Sequence, residues 1–190
     1  MDLVPIPSQT VGPFFHLGLT GTRSAGTLVT PESRGERIRL VCRVLDGEGV
    51  PVPDAMIEIW QANAEGRYNH PEDTQDKELD PSFHGFGRLA TDEHGMCRFE
   101  TIRPGRVAGP GGALQASHIN VSVFARGILK RLATRIYFAG DPHTLNDAVL
   151  ALAPAERRQT LLARTHNSSP CEWHFDIHLC GDHETVFFDV

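Results

Sequence analysis

Residues 37–45 read Arg37-Ile38-Arg39-Leu40-Val41-Cys42-Arg43-Val44-Leu45. From Ile38 to Val44 every second side chain is apolar, and this period of two predicts a β-strand with one buried face. The turn-forming residues Asp46-Gly47-Glu48-Gly49 follow at once and end the strand. The first regular element of the chain is therefore predicted to be a half-buried strand.

Short apolar or alternating stretches of the same kind recur along the rest of the chain, separated by turns. They predict strands at residues 55–60, 87–91, 97–102, 118–124, 132–138, 173–179 and 185–188. Only residues 145–152 and 154–164 have a helical pattern. Many short strands with little helix favour an all-β sandwich or barrel. We assign residues 36–190 to one β-sandwich domain, with short helices near 145–164.

The first 35 residues do not follow this pattern. Glycine and proline interrupt them at Pro5, Pro7, Gly12, Pro13, Gly18, Gly21, Gly26 and Pro31. This density predicts neither a helix nor a long strand. The segment Val11-Gly12-Pro13-Phe14-Phe15 is nevertheless too apolar for a solvated tail. We therefore interpret residues 1–35 as an extended arm that either docks on a core or partner, or lines the site of a flat aromatic ligand.

Composition excludes several function classes. The chain has 190 residues, a net charge of −6 and no basic block, which disfavours a nucleic-acid partner. No run approaches the ~20 apolar residues of a membrane span, and the N-terminus lacks the pattern of a signal peptide, so we expect a cytoplasmic protein. The four cysteines show no CxxC spacing, and neither a zinc site nor a disulfide framework is expected.

The sequence His174-x-Asp176-x-His178 is one candidate metal site, because alternation places all three side chains on one sheet face. Two histidines and a carboxylate are the ligand set of non-haem Fe(II) oxygenases. Same-face neighbours on one strand lie roughly 6.6 Å apart, however, so the outer two cannot easily share an ion. The polar, solvated face of an amphipathic strand explains the same pattern.

His118 and Asn120 also share a strand face, but an amide oxygen makes His-x-Asn a much weaker chelate than a His pair. A buried, hydrogen-bonded histidine is the simpler interpretation. Arg126 ends an apolar strand at Phe124-Ala125-Arg126-Gly127. It could extend its charge to solvent, or bind a carboxylate bidentately.

Taken in order, several segments resemble one family, the intradiol ring-cleavage dioxygenases, over nearly the whole chain. The resemblance is carried by Pro7-Ser8-Gln9-Thr10-Val11-Gly12-Pro13-Phe14, Ile57-Glu58-Ile59-Trp60-Gln61-Ala62-Asn63, Gly66-Arg67-Tyr68, Thr101-Ile102-Arg103-Pro104-Gly105, His118-Ile119-Asn120, Phe124-Ala125-Arg126-Gly127 and residues 181–189. It implies a β-sandwich and an Fe(III) enzyme that cleaves a catechol with O2 between its two hydroxyl-bearing carbons. Two tyrosinates and two histidines hold the iron in such enzymes.

The resemblance carries these four ligands over unevenly. Tyr68 and His118 stand at two of the positions, but Val107 and Asn120 stand at the others. Tyr137, the remaining tyrosine, matches no ligand position. The resemblance therefore implies no metal site in this chain and a pairing with an iron-bearing beta subunit, with the αβ unit repeated in a larger oligomer. Fe(III) would be bound by that partner.

By the same resemblance, the arm completes the partner's substrate pocket. Thr10, Gly12, Pro13 and Phe14 would bind substrate, and Arg126 would stabilise an anionic substrate as a catalytic and substrate-binding group. Relatives often have tyrosine where this chain has Phe14, which loses a hydroxyl. The implied substrate is protocatechuate. Two alternatives stay open, namely a self-sufficient iron dioxygenase for another catechol and a non-catalytic β-sandwich binding module.

Overall fold

The strand predicted at residues 37–45 is present as β1, in a computed structural model that describes residues 5–12, 14–20, 25–166 and 169–189. The described strands are β1 (Arg37–Leu45), β2 (Met56–Trp60), β3 (Phe86–Ala90), β4 (Met96–Ile102), β5 (His118–Phe124), β6 (Leu132–Phe138), β7 (Leu162–His166) and β8 (Ser169–His178). A short helix, α1, covers Phe14–Leu19. Short 3-10 helices cover Pro110–Gly112, Thr144–Asn146, Leu150–Leu152 and Ala155–Leu161.

The strands pair in the order β3-β2-β5-β6-β7-β8-β1-β4. Most neighbours are antiparallel, but β6 and β7 run parallel, and so do β1 and β8, with Leu40 opposite Trp173. The β6–β7 contact consists of only two residue pairs, so the sheet divides there into two four-stranded halves. One core cluster contains buried side chains from both halves, which is the arrangement of a β-sandwich. The all-β prediction is confirmed.

The core follows from the alternation of β1. Leu40, Cys42 and Val44 are completely buried. They pack in one cluster with side chains such as Phe99 of β4 and Ile57 of β2. A smaller cluster lies beneath the 3-10 helices and consists of Ala116, Tyr137, Leu150, Ala153, Leu161 and Val186.

Residues 25–29 join the two edge strands of the sheet. The backbone N–H of Arg88 in β3 donates to the Ala25 carbonyl at 3.0 Å, and the N–H of Leu28 donates to the Glu100 carbonyl of β4 at 2.9 Å. Edge strands leave unpaired backbone groups that the fold must cover, and this segment covers both edges. The division into an arm at 1–35 and a domain at 36–190, with the arm packed on a partner, stays a prediction.

The short helices predicted near 145–164 are present as 3-10 helices. The helical stretch predicted at 154–164 was too long, because the chain is already a strand from Leu162. Asp147 Oδ1 accepts the N–H groups of Val149 and Leu150, each at 2.9 Å, and so favours a tight turn at the start of this region.

The strand predicted at 185–188 is absent, and only an isolated bridge pairs Phe188 with Ala133. Thr185 and Val186 instead hydrogen-bond to His178 and Thr160, which lie on different elements. The prediction that residues 1–35 contain no helix was wrong, because α1 lies within them. This helix has only six residues and begins where the Gly12 carbonyl accepts the N–H of Phe15 at 3.0 Å. None of the helices among the described residues is long and apolar enough to cross a membrane.

Candidate functional site

The four positions at which the family resemblance placed ligands lie on three segments. His118 and Asn120 begin β5, between β2 and β6, so Asn120 has Trp60 on one side and Arg135 on the other. The loop after β2 carries Tyr68, and the Asn120 amide donates to its hydroxyl at 3.2 Å. The structure therefore brings Tyr68 and Asn120 into direct contact.

The loop that carries Val107 packs tightly against the loop that carries Tyr68. A Cβ on Gly66, whose φ is +81°, would lie only 2.0 Å from the Arg106 carbonyl oxygen, and one on Gly105 would lie 2.2 Å from the Ala64 carbonyl oxygen. Only glycine fits such contacts. Val107 itself is buried, with 3% of its surface exposed, and it adds an apolar side chain where the resemblance expected a tyrosine.

His118 is buried, and its two ring nitrogens differ. Nδ1 lies 2.7 Å from the Ala116 carbonyl oxygen, so it must donate. Nε2 is buried and has no hydrogen-bond partner among the described residues. Burial lowers the pKa of His118 to about 4, and the nearby charge of Arg135 contributes to this. The ring is therefore neutral near pH 7, with a bare lone pair on Nε2.

The other three positions do not fit Fe(III). Tyr68 is largely buried, which raises the pKa of its hydroxyl and opposes the tyrosinate form that a ferric ion requires. Its oxygen already accepts a hydrogen bond from Asn120, a neutral amide. Val107 has no donor atom. Across residues 5–12, 14–20, 25–166 and 169–189, no cluster of three or more His, Cys, Asp or Glu side chains is placed to hold a metal ion.

Tyr137 has a structural contact of its own. Its side chain is fully buried, and its hydroxyl donates to Asp147 Oδ1 at 2.9 Å. Burial and the neighbouring carboxylate together raise the pKa of Tyr137 well above its ordinary value. Asp147 also accepts the N–H of Ala116 at 2.7 Å. This tyrosine therefore anchors the 3-10 helices to β6.

The face of β8 that carries His174, Asp176 and His178 forms ion pairs across to β1. The Arg43 guanidinium binds Asp176 bidentately, at 3.0 and 2.7 Å. His174 Nε2 lies 2.9 Å from a Glu172 carboxylate oxygen. These contacts are those of a polar strand face, which was the simpler of the two interpretations.

The arm contacts the end of β5 in this same chain. The N–H of Gly127 donates to the Thr10 hydroxyl at 2.7 Å, and the rings of Phe15 and Phe124 lie 5.5 Å apart. Arg126 is exposed between these contacts, with Nη1 donating to the Pro53 carbonyl at 3.1 Å. The structure thus brings Thr10 and Arg126 to one place.

The other predicted arm residues are described only in part. Gly12 is exposed, and Phe14 begins α1. Pro13 lies outside the described residues, and so does the side chain of Phe14.

Sequence reasoning missed two residues beside Asn120. Arg135 lies opposite Asn120 and binds the Gln115 side chain at 2.7 Å, and its charge lowers the pKa values of both His118 and Tyr68, although burial leaves the latter raised. Trp60 stacks on Tyr68, with ring centroids 5.6 Å apart. Both are found only by pairing β5 with its neighbours, which periodicity within one strand does not supply.

Comparisons with known proteins identify the family to which the chain belongs. A family model described as "Dioxygenase" matches residues 11–181. The chain is 42% identical to the protocatechuate 3,4-dioxygenase alpha chain of Burkholderia cepacia, over 97% of this chain and 96% of that one. It is also 42% identical to the beta chain from the same organism, over 79% of this chain and 67% of that one.

Among solved structures, the dioxygenase domain of a carbohydrate-binding fusion protein from Streptomyces sp. SirexAA-E is similar. It matches with a TM-score of 0.61 and 27% identity, over 96% of this chain and all of that one.

Proposed function

This chain belongs to the intradiol ring-cleavage dioxygenases, and from that membership we propose that it is the alpha subunit of a protocatechuate 3,4-dioxygenase. The complete enzyme would cleave protocatechuate with O2 to give 3-carboxy-cis,cis-muconate, and both oxygen atoms would enter the product. The full-length similarity to an alpha chain of that name supports the assignment.

The observation that carries the proposal is the contact between Asn120 and Tyr68, together with the buried Val107. Of the four positions, only His118 has a buried side-chain nitrogen or oxygen without a hydrogen-bond partner among the described residues. The Fe(III) of the family would accordingly be held by a beta subunit. The similarity to a beta chain supports a partner built on the same scaffold. Repetition of the αβ unit in a larger oligomer and a cytoplasmic location are further expectations.

In this proposal the arm and Arg126 contribute to the partner's substrate pocket. Protocatechuate carries a ring carboxylate, and an exposed guanidinium is permanently charged and can bind a carboxylate with two parallel hydrogen bonds. Thr10, Gly12, Pro13 and Phe14 would form the adjoining wall. Arg126 would thereby bind and orient the anionic substrate, without itself taking part in proton transfer.

The test is coexpression of this chain with a beta chain whose two tyrosines and two histidines are intact. We expect a stable complex with about one iron per αβ pair and O2 uptake with protocatechuate. The control is this chain purified alone, which should have neither activity nor a coloured tyrosinate–iron complex. Stoichiometric iron and catechol cleavage in the isolated chain would favour the self-sufficient dioxygenase. A complex that forms but cleaves no catechol would favour the binding module.

A further inference from the structure

We propose that Thr10 is a positioning residue. It binds the backbone of the turn that contains Arg126, and so holds the arm and this turn in one fixed arrangement. The proposal rests on the function proposed above and extends it to a residue that acts through another residue. Its basis is the 2.7 Å hydrogen bond from the Gly127 N–H to Thr10 Oγ1.

The turn itself has a defined geometry. The N–H of Ile128 donates to the Ala125 carbonyl at 3.2 Å, so Arg126 and Gly127 are its two central residues. Gly127 has a φ of +83°, the left-handed value that the third position of a type II turn requires. In such a turn, the N–H of the third residue is not used by the turn's own hydrogen bond. That donor is satisfied here by Thr10.

Two further contacts hold the same region. Phe15 packs on Phe124, the last residue of β5, with ring planes at 46°. Arg126 Nη1 also donates to the Pro53 carbonyl. Because Phe124 and Gly127 flank Arg126 closely in sequence, Phe15 and Thr10 attach the arm on both sides of the position from which Arg126 extends. A hydroxyl is the group that suits position 10, because it accepts a hydrogen bond and is small enough to approach a backbone N–H.

Anchoring matters because ordering a loop on binding costs free energy. A turn held in one conformation reduces the freedom that Arg126 must lose on binding a carboxylate. Loss of the Thr10 hydroxyl should therefore weaken recognition of the carboxylate, and leave ring cleavage unaffected once substrate is bound. A substrate that lacks the carboxylate should respond less, since only the pocket wall and not Arg126 would then be affected.

The experiment compares Thr10→Val with Thr10→Ser in the αβ complex, using protocatechuate and unsubstituted catechol as substrates. Thr10→Val should raise the KM for protocatechuate by about 2- to 10-fold, the range of one neutral hydrogen bond, with kcat little changed. The KM for catechol should rise less, because valine keeps the shape of the pocket wall that Thr10 would form and catechol has no carboxylate for Arg126. Thr10→Ser should recover the affinity that Thr10→Val loses. Thr27→Val is the matched control, since Thr27 is an exposed threonine that pairs with Glu100 through the backbone.

A double-mutant cycle with Arg126→Ala adds a second readout. If Thr10 acts through Arg126, the Thr10→Val effect on the KM for protocatechuate should be smaller in the Arg126→Ala background. Additive effects, or equal KM increases for both substrates, would overturn the proposal.

Hydrogen exchange of the Gly127 amide in the same complex tests the Thr10 anchor separately from the proposed function of the complex. Protection that is lost in Thr10→Val and kept in Thr10→Ser supports the anchor. Protection that does not change in Thr10→Val refutes it, whatever the activity. An unsubstituted complex that keeps this protection but does not cleave protocatechuate would refute the proposed function instead.

Discussion

Protonation of His118 should destabilise the folded chain in mild acid. The pKa of a histidine is about 6.5 in an unfolded chain, and burial lowers it to about 4 here. The folded state therefore binds fewer protons than the unfolded state between these values. The contribution of the neutral His118 ring to the free energy of unfolding is fully present above pH 6.5 and is lost as the pH falls toward 4. At 1.36 kcal/mol per pKa unit, the loss is about 3 kcal/mol.

The assay is urea unfolding of the chain at a series of pH values between 7 and 4, with extrapolation to water. Other groups titrate in the same range, so the useful quantity is the difference from His118→Asn. That variant keeps an N–H donor for the Ala116 carbonyl, which the ring now binds at 2.7 Å, and removes the titrating imidazole. The unsubstituted chain should lose about 3 kcal/mol more than His118→Asn over this range.

Two checks protect this reasoning. His143→Asn, which removes an exposed imidazole at the start of a 3-10 helix, should follow the unsubstituted chain. If His118→Asn is too unstable to measure, NMR titration of the His118 ring in the unsubstituted chain gives the pKa directly. Parallel pH profiles for the unsubstituted chain and His118→Asn, or a ring that titrates near pH 6.5, would refute the argument that burial keeps this imidazole neutral.

Three other substitutions test the remaining structure. Arg126→Ala should raise the KM for protocatechuate in the αβ complex, and unchanged steady-state kinetics would exclude Arg126 from the pocket. Gly127→Ala should lower the free energy of unfolding by about 1–2 kcal/mol, because the φ of Gly127 is +83°. The control is Gly18→Ala, since Gly18 lies in α1 with open space around it. Equal melting temperatures for Gly127→Ala and the unsubstituted chain would contradict the turn geometry. Asp147→Asn should lower the free energy of unfolding, measured by chemical denaturation, by about 3 kcal/mol. The reason is the loss of a buried charged acceptor of hydrogen bonds from Tyr137 and from backbone N–H groups. A variant as stable as the unsubstituted chain would show that Asp147 is not needed to hold the 3-10 helices.

Most of the strands were predictable from the sequence because their signal is local. In β1 the alternation of Leu40, Cys42 and Val44 determines which face is buried, and the structure agrees. Short helices near 144–161 were predictable, but their 3-10 form was not. Their form depends on Asp147, which accepts donors from Ala116 and Tyr137 as well as from its own turn. No periodicity within residues 145–164 contains that information.

In the candidate site, too, some features could be predicted from the sequence and others depend on contacts between distant residues. The resemblance identified Tyr68, Val107, His118 and Asn120 as related positions, although their separation in sequence gives no reason to group them. The contact between Asn120 and Tyr68 depends on how the loop after β2 folds over β5. Likewise, no feature of residues 1–35 alone predicts that Thr10 binds the Gly127 backbone, since that bond joins residues 117 positions apart.

The parallel pairing of β1 with β8 has a consequence for how the chain reaches its native state. Arg39 lies opposite Glu172 and Leu45 opposite His178, so one long edge of β1 stays unpaired until nearly the whole chain has been synthesised. Contacts between such distant residues slow folding, since a large loop must close before they form. While the C-terminal residues are still in the ribosome, β1 exposes an apolar strand edge to other chains. Deletion of β8 should therefore give an aggregating polypeptide instead of a smaller folded domain.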